Sequence, residues 1–232
     1  MTYSTNSQNI LILAAHPDDE VLGCGGVIQY YTSRKDNVYV CVVTDGSSSQ
    51  YQGDIKKAQA KDQQTLRVQK FLGIKEFIRL DFPDMKLDTI AHIDINRKLE
   101  NVINQIKPSI IYTHSSTDVN LDHILVYQST KVVTRPGKPF LDQVYSYEVL
   151  SSTEWSRDNP FNPNTYFDIS SYIEKKVKAF NLCRTEIRPY PHPRSAQGVK
   201  SLAKYRGIQS GFKYAESFQL IVSYNHALPS LG

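Results

Sequence analysis

Residues 9–34 read NILILAAHPDDEVLGCGGVIQYYTSR, and this stretch decides the fold. Asn9 to Ala15 is an unbroken apolar run of strand length, whereas Glu20 to Arg34 carries apolar residues at helical spacing up to Tyr30 and Tyr31. The first reads as a strand buried on both faces, the second as the helix that follows it. Between them lies a short polar junction, His16-Pro17-Asp18-Asp19-Glu20. A strand, a loop and a helix in this order form the repeating unit of a parallel sheet.

The unit recurs along the chain. Asn37 to Thr44 reads as a second strand, Ile55 to Leu72 as a polar-faced helix closed by Gly73, and Glu76 to Leu80 as a third strand. Ile90 to Ile106 is a helix stopped by Pro108, Ser109 to Thr113 a fourth strand, Ile124 to Val133 a helix, and Gln143 to Leu150 a fifth strand. Beyond Leu150 the rhythm breaks into a stretch rich in Asn, Pro and Ser. A short strand at Tyr166–Ile169, a helix from Ser171 to about Glu186, a second helix at Ser195–Gln209 and a last strand at Ser217–Tyr224 follow, with Pro189, Pro191 and Pro193 between the helices. The expectation is a Rossmann-like, three-layer α/β/α fold with a mainly parallel sheet. Residues 1–232 form one domain in this reading, with a loop-rich substrate region around 151–194.

Composition narrows the function classes. With 232 residues, 40% of them hydrophobic, the chain can bury a core that needs no disulfide, and a disordered tail is excluded. Cys24, Cys41 and Cys183 form no Cys-x-x-Cys pair, which argues against a zinc ribbon or thioredoxin-like motif and favours a reducing compartment, with the cytoplasm as the expected location. The polar, uncharged start from Met1 to Gln8 has neither a signal peptide's basic residues nor a membrane span's length. A net charge of +4 with no arginine-rich block gives no basis for nucleic-acid binding. The charge is uneven, however. From Ser171 onward there are 10 Lys and Arg against 3 Asp and Glu, a basic segment suited to an anionic ligand or an acidic subunit surface.

In an open α/β sheet, ligands bind outside the carboxyl ends of the strands. Three such junctions are loaded: His16 to Glu20, Asp45-Gly46-Ser47, and His114 followed by Asp118-Val119-Asn120-Leu121-Asp122-His123. Asp18, Asp19 and Glu20 serve either as helix caps or as a metal ligand beside a free base. His123 is likewise either a helix-start residue or a ligand. Brought together, the junctions offer two imidazoles and a carboxylate, the open three-ligand set of a catalytic zinc site. Gly23-Cys24-Gly25-Gly26 lacks dinucleotide-loop spacing and reads as close helix packing. His92 and His226 lie away from the loaded junctions; His114 is placed to orient a ligand, and Trp155 and Tyr190 sit in the irregular region with aromatic faces suited to stacking.

His16-Pro-Asp-Asp-Glu20 with Gly23-Cys-Gly-Gly26 closely resembles the signature of the LmbE/PIG-L-type zinc-dependent N-deacetylases. The segment containing Asp122-His123, Asp81-Phe-Pro-Asp84, the stretch from Tyr145 to Trp155, Pro191-His-Pro-Arg-Ser195, Tyr205-Arg-Gly207 and Ala215-Glu216 extend the resemblance along most of the chain. It implies His16, Asp19 and His123 as ligands of zinc or another divalent metal, and Asp18 as general base. Many members have a histidine where this chain has Asn120, and the Asn-x-x-His pattern resembles the diacetylchitobiose-deacetylase branch. That branch implies a histidine from a distant segment, here His192, acting in some members across a subunit interface of a homo-oligomer such as a trimer or hexamer; otherwise His192 is a loop residue. Lys61 and Gln64 stand where members often carry an Arg-x-x-Glu pair. Asp84, Lys61 and Arg194 are the candidate substrate contacts, although Asp84 also suits a turn.

The implied activity is removal of acetyl from an N-acetylglucosamine-type sugar. Two other readings remain: hydrolysis of another N-acyl small molecule or nucleotide sugar, and a carbohydrate-binding module that needs no metal.

Overall fold

The computed structural model describes residues 7–49 and 54–226. The chain's first six residues, part of the polar start discussed above, lie outside them.

Seven strands form one sheet in the order β3-β2-β1-β4-β5-β7-β6. β1 (Asn9–Ala14) pairs in parallel with β2 (Asn37–Thr44) on one side and β4 (Ile110–His114) on the other; β3 (Glu76–Phe82) and β5 (Gln143–Tyr147) extend the sheet outward, also in parallel. β6 (Thr165–Asp168) and β7 (Ala215–Ser223) close one edge in antiparallel pairing. The α/β fold with a mainly parallel sheet is as expected, with an antiparallel pair added at the edge.

Alternation within the central strands separates two cores. Ile10, Ile12 and Ala14 face one layer with Val38, Val40 and Val42, against α1 (Asp19–Ser33), α5 (Ile173–Phe180) and α6 (Ala196–Ser210). Leu11, Leu13 and Ala15 face the other, against α3 (His92–Ile106) and α4 (Leu121–Val133). Both faces of β1 are therefore dry, which is why its sequence is apolar without alternation. All three cysteines are buried and free. No helix among the described residues is long and apolar enough to cross a membrane.

Several boundaries moved for local reasons. α4 begins three residues before the expected Ile124, because Asn120 caps it by accepting from Asp122 N at 2.9 Å. α3 starts two residues late, after a 3-10 turn at Leu87–Thr89. α2 (Ile55–Leu72) matches its sequence signals, with Asp54 accepting from Lys57 N and Gly73 at φ 72° as its stop. The helix expected to reach Glu186 ends at Phe180 and gives way to tight turns, in which Cys183 N donates to Phe180 O and Glu186 N to Cys183 O.

The Gly23–Gly26 stretch packs α1 closely, as expected. A Cβ at Gly23 would lie 2.2 Å from the Tyr147 ring, and one at Gly26 2.5 Å from Ile169. Lys176 Nζ reaches the helix at Leu22 O (2.7 Å) and pairs with Glu216 (2.6 Å), whose two oxygens accept from Gly26 N and Val27 N. Glu216, noted in the sequence only as part of a resemblance, thus ties β7 to α1.

Candidate active site

Strand order reverses between β1 and β4, opening a crevice at their carboxyl ends. The β1–α1 junction enters it as a tight turn. Pro17 packs so closely on Gly46 that a Cβ there would lie 2.3 Å from Pro17 Cδ, and Gly46 itself has φ +65°. Asp18 adopts φ 108°, ψ −21°, a conformation rarely taken by residues with a side chain. It turns the Asp18 carboxyl away from that of Asp19. Asp18 lines the crevice, whereas Asp19 is wholly buried beneath it.

His16, Asp19 and His123 converge. His16 Nδ1 lies 3.2 Å from His123 Nε2, and Asp19 Oδ2 is 3.3 Å from each of them. A tetrahedral ion with ligand bonds of about 2.0–2.1 Å separates its ligands by roughly 3.3–3.4 Å. The triangle therefore fits zinc. The outer nitrogen of each imidazole faces a carboxylate: His16 Nε2 is 3.1 Å from Asp122, and His123 Nδ1 is 3.0 Å from Asp118. Such partners fix the ring and raise its basicity towards a metal. Asp122 is held by Met85 N and Leu87 N, and Asp118 by the hydroxyls of Ser152 and Thr153. His16 also belongs to a second trio with Asp84 and Asp122, but that trio meets Nε2, the nitrogen left to carry the ring proton when Nδ1 is a ligand.

The electrostatics favour positive charge at this position. Four carboxylates, Asp19, Asp84, Asp118 and Asp122, lie within 3.5 Å of two imidazoles. Burial alone would lower the His16 pKa, yet its hydrogen bonds to Asp122 and Asp19 and the charges of Asp19 and Asp84 raise it to about 10. Burial is likewise overcome at Asp19, which the charge of His123 and hydrogen bonds to both imidazoles hold well below the carboxylate range. Asp19 Oδ1, buried, has no hydrogen-bond partner among the described residues. His114 differs: burial and neighbouring His123 push it well down, so it stays neutral, stacked on His123 at 3.9 Å and accepting from Ala15 N.

A cavity of about 370 Å³ opens above the triangle, within the size range of small-ligand sites. Of the residues singled out from the sequence, His16, Asp18, Lys61, Asp84, Asn120 and Arg194 line it, joined by Ser49, Met85 and Glu186. Asn120 spends its oxygen on capping α4, and its Nδ2 donates to Met85 Sδ at 3.5 Å, so one amide N–H is left for another acceptor. Asp84 is 4% exposed and its carboxylate lies 3.5 Å from His16 Nε2. Lys61 and Arg194 do not stand as open cation receptors, because Lys61 pairs with Glu186 (3.2 Å) and Arg194 with both Glu186 (3.0 Å) and Asp18 (3.1 Å).

His192 is outside this lining. It is exposed, and its Nδ1 accepts from Arg194 N at 3.0 Å; a single chain does not bring it to the cavity. Trp155 and Tyr190, 51% and 60% exposed, do not line it either. Glu186, by contrast, was missed from the sequence. The sequence placed it at the end of a helix that in fact stops at Phe180, and charge complementarity to Lys61 and Arg194 is the signal that marks it.

A family model described as GlcNAc-PI de-N-acetylase (PIG-L) matches residues 11–134, the segment that supplies the whole triangle. A diacetylchitobiose deacetylase of Thermococcus kodakarensis is 23% identical over 92% of this chain and 83% of its own length. An uncharacterized deacetylase of Escherichia coli, YaiS, is 30% identical over 66% of this chain and 80% of its own. The solved N,N'-diacetylchitobiose deacetylase from Pyrococcus horikoshii covers 97% of this chain and 88% of that one with a TM-score of 0.75; at 19% identity, that likeness concerns the fold. With the matched segment carrying His16, Asp19 and His123 to the crevice, the chain belongs to the GlcNAc-PI de-N-acetylase (PIG-L) family and is a deacetylase, a hydrolase of amide bonds.

Proposed function

We propose that this chain removes the N-acetyl group from an N-acetylglucosamine-type amino sugar, with zinc held by His16, Asp19 and His123 and with Asp18 as general base. The observation that carries the reading is the zinc-sized triangle whose His16 lines a cavity of about 370 Å³, with Asp18, a carboxylate not needed as a ligand, lining the same cavity.

An acetamide is a weak electrophile and water a weak nucleophile. Bound zinc supplies Lewis acidity, which polarises the acyl carbonyl and makes water a better proton donor. The remaining steps belong to the protein's side chains. Burial pushes Asp18 up to about 7, against the pull of Arg194, so its carboxylate is a stronger base than a solvated one. Asp18 accepts the proton of the attacking water and later passes it to the departing amine nitrogen, giving acetate and a free amino sugar. Asp19 cannot share this work while its oxygen is a ligand. Asn120 donates its amide N–H to the developing oxyanion or to a sugar hydroxyl. Asp84 accepts from a sugar hydroxyl.

Asp18→Asn tests the central role, since asparagine tolerates positive φ nearly as well as aspartate. The variant is expected to retain zinc and lose roughly 10²- to 10⁴-fold in turnover, the range of a lost general base; full activity would remove Asp18 from the mechanism. Comparing N-acetyl with N-formyl and longer N-acyl hexosamines, free and nucleotide-linked, fixes the acyl group and its carrier. A role for His192 requires a neighbouring chain. Mixing His192→Ala chains with Asp18→Asn chains is expected to restore activity if His192 is shared, whereas verified mixed oligomers that stay inactive would assign it to the surface.

A further inference from the structure

Arg194 admits two roles, a receptor for an anionic part of the substrate or a fixture for Asp18. Its Nη1 lies 3.1 Å from Asp18 Oδ2 and 3.0 Å from Glu186 Oε2, and Glu186 Oε1 lies 3.2 Å from Lys61 Nζ. Cations and anions therefore alternate from α2 to the β1–α1 junction: Lys61, Glu186, Arg194, Asp18. Lys61, Glu186 and Asp18 are 7%, 5% and 3% exposed, so little solvent screens the chain. Its middle is anchored independently. Thr185 donates to Gln64 Oε1 from both its backbone N (3.2 Å) and its hydroxyl (3.1 Å), and Arg188 N donates to Arg194 O at 2.8 Å, folding the segment back on itself.

This arrangement suits a fixture better than a receptor. An anion receptor needs a cation whose charge is still available, and Arg194 already faces two carboxylates. Asp18, conversely, stands in a sparsely populated backbone conformation that persists only where its surroundings impose it. The contact is also of a suitable kind. Asp18 Oδ2 is buried and has no aligned hydrogen-bond donor among the described residues, so Arg194 holds it by charge.

We propose that Arg194 is a positioning residue for Asp18, itself held by Glu186 and Lys61, and that the Glu186–Arg194 segment serves the proton-transfer step rather than binding substrate charge. The inference rests on the reading of Asp18 as general base.

The test uses the zinc-loaded enzyme and N-acetylglucosamine or its dimer. Arg194→Gln is expected to lower kcat about 100-fold, the usual consequence of a catalytic group misplaced by an ångström, with KM changed less than about twofold. Arg194→Lys is expected to recover part of kcat, and Glu186→Gln to lower kcat in the same pattern but less. A KM rise of about tenfold or more with kcat retained would make Arg194 a substrate receptor and overturn the proposal. Should the wild-type protein hydrolyse no N-acylated sugar, the functional reading fails, but the ionic contact is still decided by thermal unfolding of metal-free protein. Losses in Tm from Asp18→Asn and Arg194→Gln that are smaller together than their sum support the coupling, and additive losses contradict it.

Discussion

Asp18 and Asp19 are the same residue type one peptide bond apart, yet one lies wholly buried against two imidazoles while the other lines the cavity. Backbone geometry divides them: φ 108° at Asp18 rotates its carboxyl out of the triangle. His16, Asp18, Asp19 and His123 were singled out in the sequence because they lie on junctions after predicted strands; residue types alone left helix capping open, and the family resemblance supplied their roles. The residues that hold them were less legible. Ser152 and Thr153 fix Asp118 from more than thirty positions away, and no local pattern marks a hydroxyl for that task. Two residue-level outcomes follow. His123→Ala should abolish stoichiometric zinc binding. Asp118→Asn should keep the fold and weaken zinc about 10- to 100-fold, as loss of an imidazole's outer partner does, measured by competition with a chelator; unchanged affinity would show that His123 needs no such support.

At the scale of elements, β1 and α1 form the scaffold from which the site projects. Four of the five parallel strands were readable because a helical period follows each of them, and β5 because it is apolar on its inner positions, although an irregular stretch follows it. The antiparallel placement of β7 between β5 and β6 was not, since a long irregular segment leaves strand order open. The end of α5 was misplaced for a related reason. Its polar continuation fits a helix by composition, but tight turns deliver Glu186 to Lys61 instead. α1 is locked from behind by the buried Lys176–Glu216 pair, both residues 4% exposed. Lys176→Met is expected to cost about 3–5 kcal/mol by leaving Glu216 buried without its partner, as measured by urea unfolding. Gly23→Ala should cost about 1–3 kcal/mol, because its methyl group meets the Tyr147 ring. A neutral result for either would mean that α1 can shift without disturbing the fold.

For the whole molecule, buried acids make stability depend on pH. Glu20 is 1% exposed, and burial, reinforced by the charge of Asp18, raises it from 4.5 to about 8. Between these values the folded metal-free protein holds a proton that the unfolded chain has released. The contribution of Glu20 is therefore fully present below about pH 4.5 and is lost as pH rises towards 8, by at most about 1.4 kcal/mol per pH unit. Glu20→Gln should flatten the decline between pH 5 and 8 in urea titrations of metal-free protein; an unchanged slope would assign the decline to other groups. The uneven charge seen in the sequence also takes a different meaning at this scale. Arg194 and Arg206, both in the basic carboxy-terminal segment, are paired internally, Arg194 with Asp18 and Glu186 and Arg206 with Glu148 in two hydrogen bonds, so the local excess of basic residues is partly consumed within the fold.

Metal-assisted deacetylation at the His16–Asp19–His123 triangle is the central proposal for this protein. Acetate release from N-acetylglucosamine and its β-linked dimer, followed as chelator-stripped protein is titrated with zinc, tests it directly. Activity should be absent after stripping and rise in proportion to zinc until about one ion is bound per chain, with no recovery in His123→Ala. Acetate release that survives complete stripping, or that zinc restores equally in His123→Ala, would contradict it.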